Sequence, residues 1–266
     1  APFMAVLAVV GIIYAALAAW IQDDVKKLVA YSSVSHLGFC MLGMFSLKIA
    51  GLNGAVMYMV NHGLSTGALF LVVGMIYERY HTRDMNELGG LARRMPVWAF
   101  FMVFFTLASV GLPGLNGFVS EFFCLIAAFS ATPDATTGYP GVLGPWYGLV
   151  AGVGMIAAAM YLLMMVGRIV FGPLREPTVH HDGDDALPPD LTGREIGVLV
   201  PLAVLCVVLG IQPKPVTDAL EPAVERTLAM YPLIVEENRL AATAPRPAPA
   251  PELAARLVRD VQEVTP

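Results

Sequence analysis

Six stretches of the chain are almost free of charge and long enough to cross a bilayer: residues 3–21, 28–47, 52–77, 97–131, 146–171 and 195–211. A hydrocarbon core about 30 Å thick needs roughly 20 apolar residues at 1.5 Å per residue. The pattern therefore predicts an all-α integral membrane protein of about six transmembrane helices. The fourth stretch is too long for one straight span. It contains Gly111, Pro113, Gly114 and Gly117 within seven residues. Pro removes a backbone donor and Gly frees the backbone, so the fourth helix is expected to break near Pro113. Broken backbone at membrane depth is tolerated only where protein or a wet cavity surrounds it.

Composition agrees with this pattern. The chain is 57% hydrophobic and 14% charged, with a mean hydropathy of +0.67. A soluble domain of 266 residues would need far more polar surface. Residues 1–211 read as the membrane bundle and 212–266 as a tail. Within the tail, 241–251 is a Pro/Ala linker and 252–264 has the pattern of a short amphipathic helix. No segment has the pattern of a transit peptide. The chain starts with Ala almost inside a span, so a processed chain or the C-terminal part of a longer one is expected.

Charge then orients the spans. Lys26, Lys27, Arg79, Arg83, Arg93, Arg94, Arg168, Arg175 and Arg194 fall at one set of span ends, and Lys48 alone at the other. The positive-inside rule puts the nine in the cytoplasm and the C-terminal tail on the outer side. Cys40, Cys124 and Cys206 lie in separate apolar spans, without the spacing of a metal site or a disulfide framework. There is no nucleotide-binding loop, iron–sulfur cysteine cluster, haem-binding pair or nucleophile motif. No cofactor or metal is expected in this chain, and no nucleic acid partner. His180 and His181 sit in an Asp-rich loop and form at most a weak metal site.

The candidate chemistry lies inside the spans. Glu121 is the single charge between Met95 and Pro133 and follows the expected break. An ionisable group at membrane depth is by default a functional candidate, and a broken helix beside it is a common ion-site design. Its place near the start of the second half-helix should favour the anion. His36 has Ser32 four residues before it on the same helix face, placed to hold one imidazole nitrogen. His62 is flanked by Tyr58, Ser65 and Thr66 on its own face. Imidazole both donates and accepts near neutral pH, which suits a proton relay. The plainer alternative is that these residues pair and pack without carrying protons. Lys26 and Lys27, with Asp23 and Asp24, form a charged turn that either fixes topology or supports a proton inlet. Gly63 and Gly67 make a small-residue face for close helix approach.

Four stretches together resemble one family: Asp-Asp-Val-Lys-Lys-Leu-Val-Ala-Tyr-Ser-Ser-Val-Ser-His (23–36), Asn-His-Gly-Leu-Ser-Thr-Gly-Ala-Leu-Phe (61–70), Tyr-Glu-Arg-Tyr-His-Thr-Arg-Asp (77–84) and Gly-Leu-Pro-Gly-Leu-Asn-Gly-Phe-Val-Ser-Glu-Phe (111–122). The chain resembles the antiporter-like proton-channel subunits of NADH:quinone oxidoreductase, respiratory complex I, over roughly residues 1–211. Within that family it resembles the subunit M branch, which includes mitochondrial NADH dehydrogenase subunit 4. Sister subunits L and N and Mrp-type antiporters usually carry Lys where this chain has Glu121. The resemblance implies family helices nine to fourteen, hence the second of two inverted repeats plus the last helix. It implies a proton relay through His36 and His62 to Glu121, the outlet half of a path whose inlet half is not in this sequence. It implies as partners the other membrane-arm subunits (L and N types), lipids, and a remaining half from a longer or separate chain. Redox chemistry with NADH, FMN, iron–sulfur clusters and quinone would belong to other subunits. The implied location is the bacterial inner membrane. Rival readings are an Mrp-type cation/proton antiporter, a membrane-bound hydrogenase subunit, or a structural scaffold.

Overall fold

The computed structural model describes residues 1–131, 143–177 and 189–243, with 231–243 as backbone. Helices α1 (Pro2–Trp20), α2 (Val25–Phe45) and α3 (Ile49–Tyr80) are followed by a 3-10 turn at Leu91–Arg93. Then come α4 (Pro96–Val110), α5 (Asn116–Ser130), α6 (Pro145–Ile169), α7 (Gly193–Ile211) and α8 (Lys214–Thr243). Five of these are long and apolar enough to cross a membrane, and α4 and α5 are shorter apolar helices of 15 residues each. They are the two halves of the expected broken span. Helix α4 stops at Gly111, whose φ of +82° lies in the left-handed region that favours glycine. Pro113 cannot resume the helix, and α5 begins at Asn116.

The chain divides into two compact units, Ala1–Glu225 and Arg226–Pro266. In the first, large apolar side chains point outward as well as inward. Phe3, Val10, Tyr14, Leu17, Ile156 and Ile211 are all more than half exposed, the pattern of helices whose outer faces meet an apolar surrounding. Inside, small residues let backbones approach. One face of α1 buries Ala5, Ala8, Ile12, Ala15, Ala16 and Ala19, and Ser35 of α2 donates to the Ile12 carbonyl at 2.8 Å. Close approach occurs at Gly54 of α3, where an added Cβ would meet Phe123 Cβ at 2.7 Å. It does not occur at Gly63 or Gly67, where an added Cβ would meet nothing within 4 Å. Glycine spacing alone marks faces that can be approached, and the partner helix chose a different face.

The basic end is sewn together by loops. Met85 N–H donates to Asp23 O, and Gly89 and Arg175 exchange two backbone bonds. Arg79 of α3 makes a bidentate pair with Glu195 of α7 at 2.8 and 2.9 Å, both side chains about one-tenth exposed. Arg168 pairs with Asp23 at 3.7 Å while remaining 44% exposed. Helix α4 has no cap of its own. The Asp190 carboxylate accepts from Val97 and Trp98 N–H at 2.8 and 3.1 Å instead.

The sequence reading took 212–266 as a tail and assigned no element before the linker at 241–251, where the structure has helix α8. Its charges exclude a lipid-facing span, and Pro222 and Pro232 read as breakers, yet the helix runs through both. Val216, Leu220 and Val224 form an i, i+4 stripe that was the available signal. His180 and His181, most of the linker 241–251 and the segment 252–264 lie outside the described residues.

Candidate functional site

Three helices bring the site together. Helix α2 contributes His36, α3 contributes Tyr58, Asn61 and His62, and α5 contributes Glu121. His36 is 2% exposed and Glu121 1% exposed, so Glu121 does not reach for the membrane edge. His36 Nδ1 lies 3.1 Å from Glu121 Oε1 and 2.8 Å from Tyr58 Oη. The Tyr58 hydroxyl donates to the same Glu121 oxygen. On the far side of the imidazole, Nε2 faces Tyr161 Oη of α6 at 3.5 Å. The two ring nitrogens therefore open onto different surroundings: one onto an acid, the other onto a phenol. If Tyr161 donates to Nε2, the hydrogen sits on Nδ1 and points at the acid. If both nitrogens carry hydrogens, His36 and Glu121 form a buried ion pair.

Other Glu121 contacts come from the break. An added Cβ at Gly111 would lie 2.7 Å from Glu121 Oε2, so the acid rests against the first residue of the non-helical segment. Glu121 is the sixth residue of α5, beyond the first turn, where the helix dipole has largely faded. Its charge is therefore met by Tyr58 and His36 rather than by the helix N-terminus, a correction to the sequence expectation. A second correction concerns Ser32. Its hydroxyl donates to the Val29 carbonyl at 2.7 Å, and Glu121 and Tyr58 occupy His36 Nδ1.

His62 is nearby but not bonded to the cluster. Its ring centroid is 6.3 Å from that of His36 and 6.4 Å from that of Tyr58. Ser65, expected beside it, donates to the Asn61 carbonyl at 3.0 Å. His62 Nε2 is buried and has no hydrogen-bond partner among the described residues. Lys26 and Lys27 are not brought to the site. They are exposed in the first turn of α2, about 14 Å along the axis from His36 at 1.5 Å per residue. There Lys27 lines a cavity of about 560 Å³ with Asp23, Asp24, His81 and Asp84. Asp24 accepts the backbone N–H groups of both lysines and caps the helix.

Sequence reading missed Tyr58 as a site residue, although its spacing of four from His62 was visible. It gave no sign of Tyr161, a single phenol in an apolar span. The cysteines are buried and unpaired.

A bundle of membrane-length helices around a broken span, with a buried acid beside imidazole and phenol at the break, defines an all-α membrane protein of antiporter-like fold. The family described as NADH:quinone oxidoreductase/Mrp antiporter, TM, matches residues 1–143, and the chain belongs to it. The NADH-quinone oxidoreductase subunit M of Rhodobacter capsulatus is 40% identical over 229 residues, covering 86% of this chain and 41% of that protein. A chain in the structure of respiratory complex I from Thermus thermophilus with bound NADH is 32% identical, with a TM-score of 0.71 over 86% of this chain and 44% of that one. A chain of the Mrp complex from Dietzia sp. DQ12-45-1b shares the fold, with a TM-score of 0.69 at 22% identity, over 84% of this chain and 46% of that one. The chain spans about two fifths of the length of the curated relatives it matches.

Proposed function

We propose that this chain is the second half of a subunit-M-type proton-translocating subunit in the membrane arm of NADH:quinone oxidoreductase. Subunits of L and N type would be its neighbours, in a bacterial inner membrane. NADH oxidation and quinone reduction would take place in other subunits. The basic span ends would face the cytoplasm. The observation that carries the reading is the buried contact of His36 Nδ1 with Glu121 Oε1 at 3.1 Å beside a broken helix.

The chemistry follows from the two sides of the imidazole. A proton arriving at His36 Nε2 makes the imidazolium. The hydrogen on Nδ1 then passes to Glu121 Oε1, leaving His36 neutral with its hydrogen on Nε2. Rotation or tautomer exchange resets the ring. Tyr58 stabilises the carboxylate form by donating to it, so Glu121 can hold either a charge or a proton without leaving its place. His62, 6.3 Å from the His36 ring, is the next titratable group on the route. Transfer between the two rings needs a bridging water or a ring rotation. Lys26 and Lys27 would act at the basic surface, by holding charge at the mouth of the route.

Glu121→Gln in the intact parent complex is the test, read as NADH-driven proton uptake in membrane vesicles with assembly followed on a native gel. An assembled complex whose proton uptake collapses supports the reading. Normal uptake removes Glu121 from the path, and reduced assembly with normal uptake per assembled complex assigns it to structure. The Mrp-type alternative, which the family name includes, is separated by the driving force: uptake that follows sodium instead of NADH and quinone would favour it.

A further inference from the structure

Glu121 does not set its own position, because α5 starts without a capping side chain: Leu115 at its N-cap makes no side-chain bond. The first turn of α5 is instead held across the interface by a reciprocal amide pair. Asn61 Nδ2 donates to the Asn116 carbonyl at 2.8 Å and to Ser120 Oγ at 3.1 Å. Asn116 Nδ2 donates back to the Asn61 carbonyl at 3.1 Å. Asn61, Asn116 and Ser120 are all 0% exposed. Each asparagine uses only its NH2 group. Asn61 Oδ1 and Asn116 Oδ1 are buried with no partner among the described residues.

Buried amides left half-satisfied are disfavoured where apolar residues of similar shape would do. Their geometry relates them to the acid. Asn61 is three residues after Tyr58, so one turn of α3 touches α5 twice, through Tyr58 to Glu121 and through Asn61 to Asn116 and Ser120. Ser120 directly precedes Glu121. Gly117, in the same first turn, packs against the Ala108 carbonyl so tightly that a Cβ would collide with it. The start of α5 is thus clamped between the end of α4 and the middle of α3.

We propose that Asn61 and Asn116 are positioning residues for Glu121. Their latch sets the register of α5 on α3, and so decides whether Glu121 Oε1 meets Tyr58 and His36. This inference rests on the proton-relay reading, because it assigns the latch to control of the proton-binding acid. It adds residues that neither hold nor pass the proton.

The test uses Asn61→Leu and Asn116→Leu in the intact parent complex, beside Glu121→Gln. Two readouts are taken on assembled complex: the pH dependence of NADH-driven proton uptake, and the infrared carboxyl band that Glu121→Gln removes. If the latch positions Glu121, each leucine variant moves the pH of half-maximal uptake by about one unit or more and shifts the Glu121 band. The two variants together do no more than either alone, since both break the same latch. An unchanged pH profile and band, even with less complex in the membrane, would mean that the asparagines serve folding only, and the proposal would fall. Should the leucine variants not assemble, Asn116→Ala removes the donor with less crowding and is read the same way. Failure of all three to assemble also assigns the pair to folding. Normal uptake in Glu121→Gln sinks the relay reading itself, an outcome distinct from either of these.

Discussion

Tyr58 is the residue on which the site turns, because its hydroxyl touches both the acid and the imidazole. A hydrogen bond to a charged group is worth about 1.5–3 kcal/mol, roughly a factor of 10 to 150. Tyr58→Phe keeps the ring that packs in the bundle and deletes only that donor. Proton uptake in the assembled complex is expected to fall about tenfold or more, with native-gel assembly unchanged. The Tyr161 contact with His36 Nε2 is at the limit of hydrogen bonding, 3.5 Å. Tyr161→Phe is therefore expected to cost less than Tyr58→Phe in the same assay. The reverse order would place the controlling donor on α6.

Charge was the signal that the sequence offered at this scale. Histidine and glutamate inside apolar runs stand out against their neighbours, and the structure brings His36 and Glu121 into contact with His62 one ring away. Tyr58, Asn61, Asn116 and Tyr161 do not stand out. Uncharged polar side chains barely disturb hydropathy, and their partners lie 22 to 125 positions away.

Among elements, the break between α4 and α5 is the one with chemical consequence. Gly111 holds φ +82° and sits against Glu121 Oε2. A side chain there costs about 1–2 kcal/mol of backbone strain before any clash. Gly111→Ala is expected to lower proton uptake well beyond its effect on assembly, because the new methyl group displaces the carboxylate. Gly63→Ala, in open space on α3, is the control, expected to leave both unchanged. Equal uptake in the two variants would show that the break yields without moving the acid. The break itself was legible from Pro and Gly spacing. Helix α8 was not, since its prolines and charges mimic a loop and only its i, i+4 stripe argues otherwise.

The whole first unit depends on ties at its basic end. Arg79 and Glu195 connect α3, the helix bearing Tyr58, Asn61 and His62, to α7. Both are about one-tenth exposed, so removing one partner strands a charge largely out of water, at a cost of about 3 kcal/mol. Arg79→Ala and Glu195→Ala are each expected to lower the thermal midpoint of the detergent-solubilised complex clearly. The double variant should lower it by less than their sum. Additive losses would mean that the two side chains act through other contacts. The pair of Arg83 with Asp24, more exposed and at 3.6 Å, is expected to contribute little.

Sequence alone determined that this chain is a helical membrane protein, where its spans run, that the fourth is broken, and that His36, His62 and Glu121 lie within those spans. These follow from local composition: transfer into lipid is a sum over neighbouring residues, and Pro and Gly act where they stand. Only the tertiary structure decided which groups touch. It put Tyr58 rather than Ser32 on His36, left Lys26 and Lys27 at the surface, met the Glu121 charge with phenol and imidazole instead of the helix end, and capped α4 with Asp190. Each of those choices depends on the register of one helix against another, which one chain's periodicity leaves open.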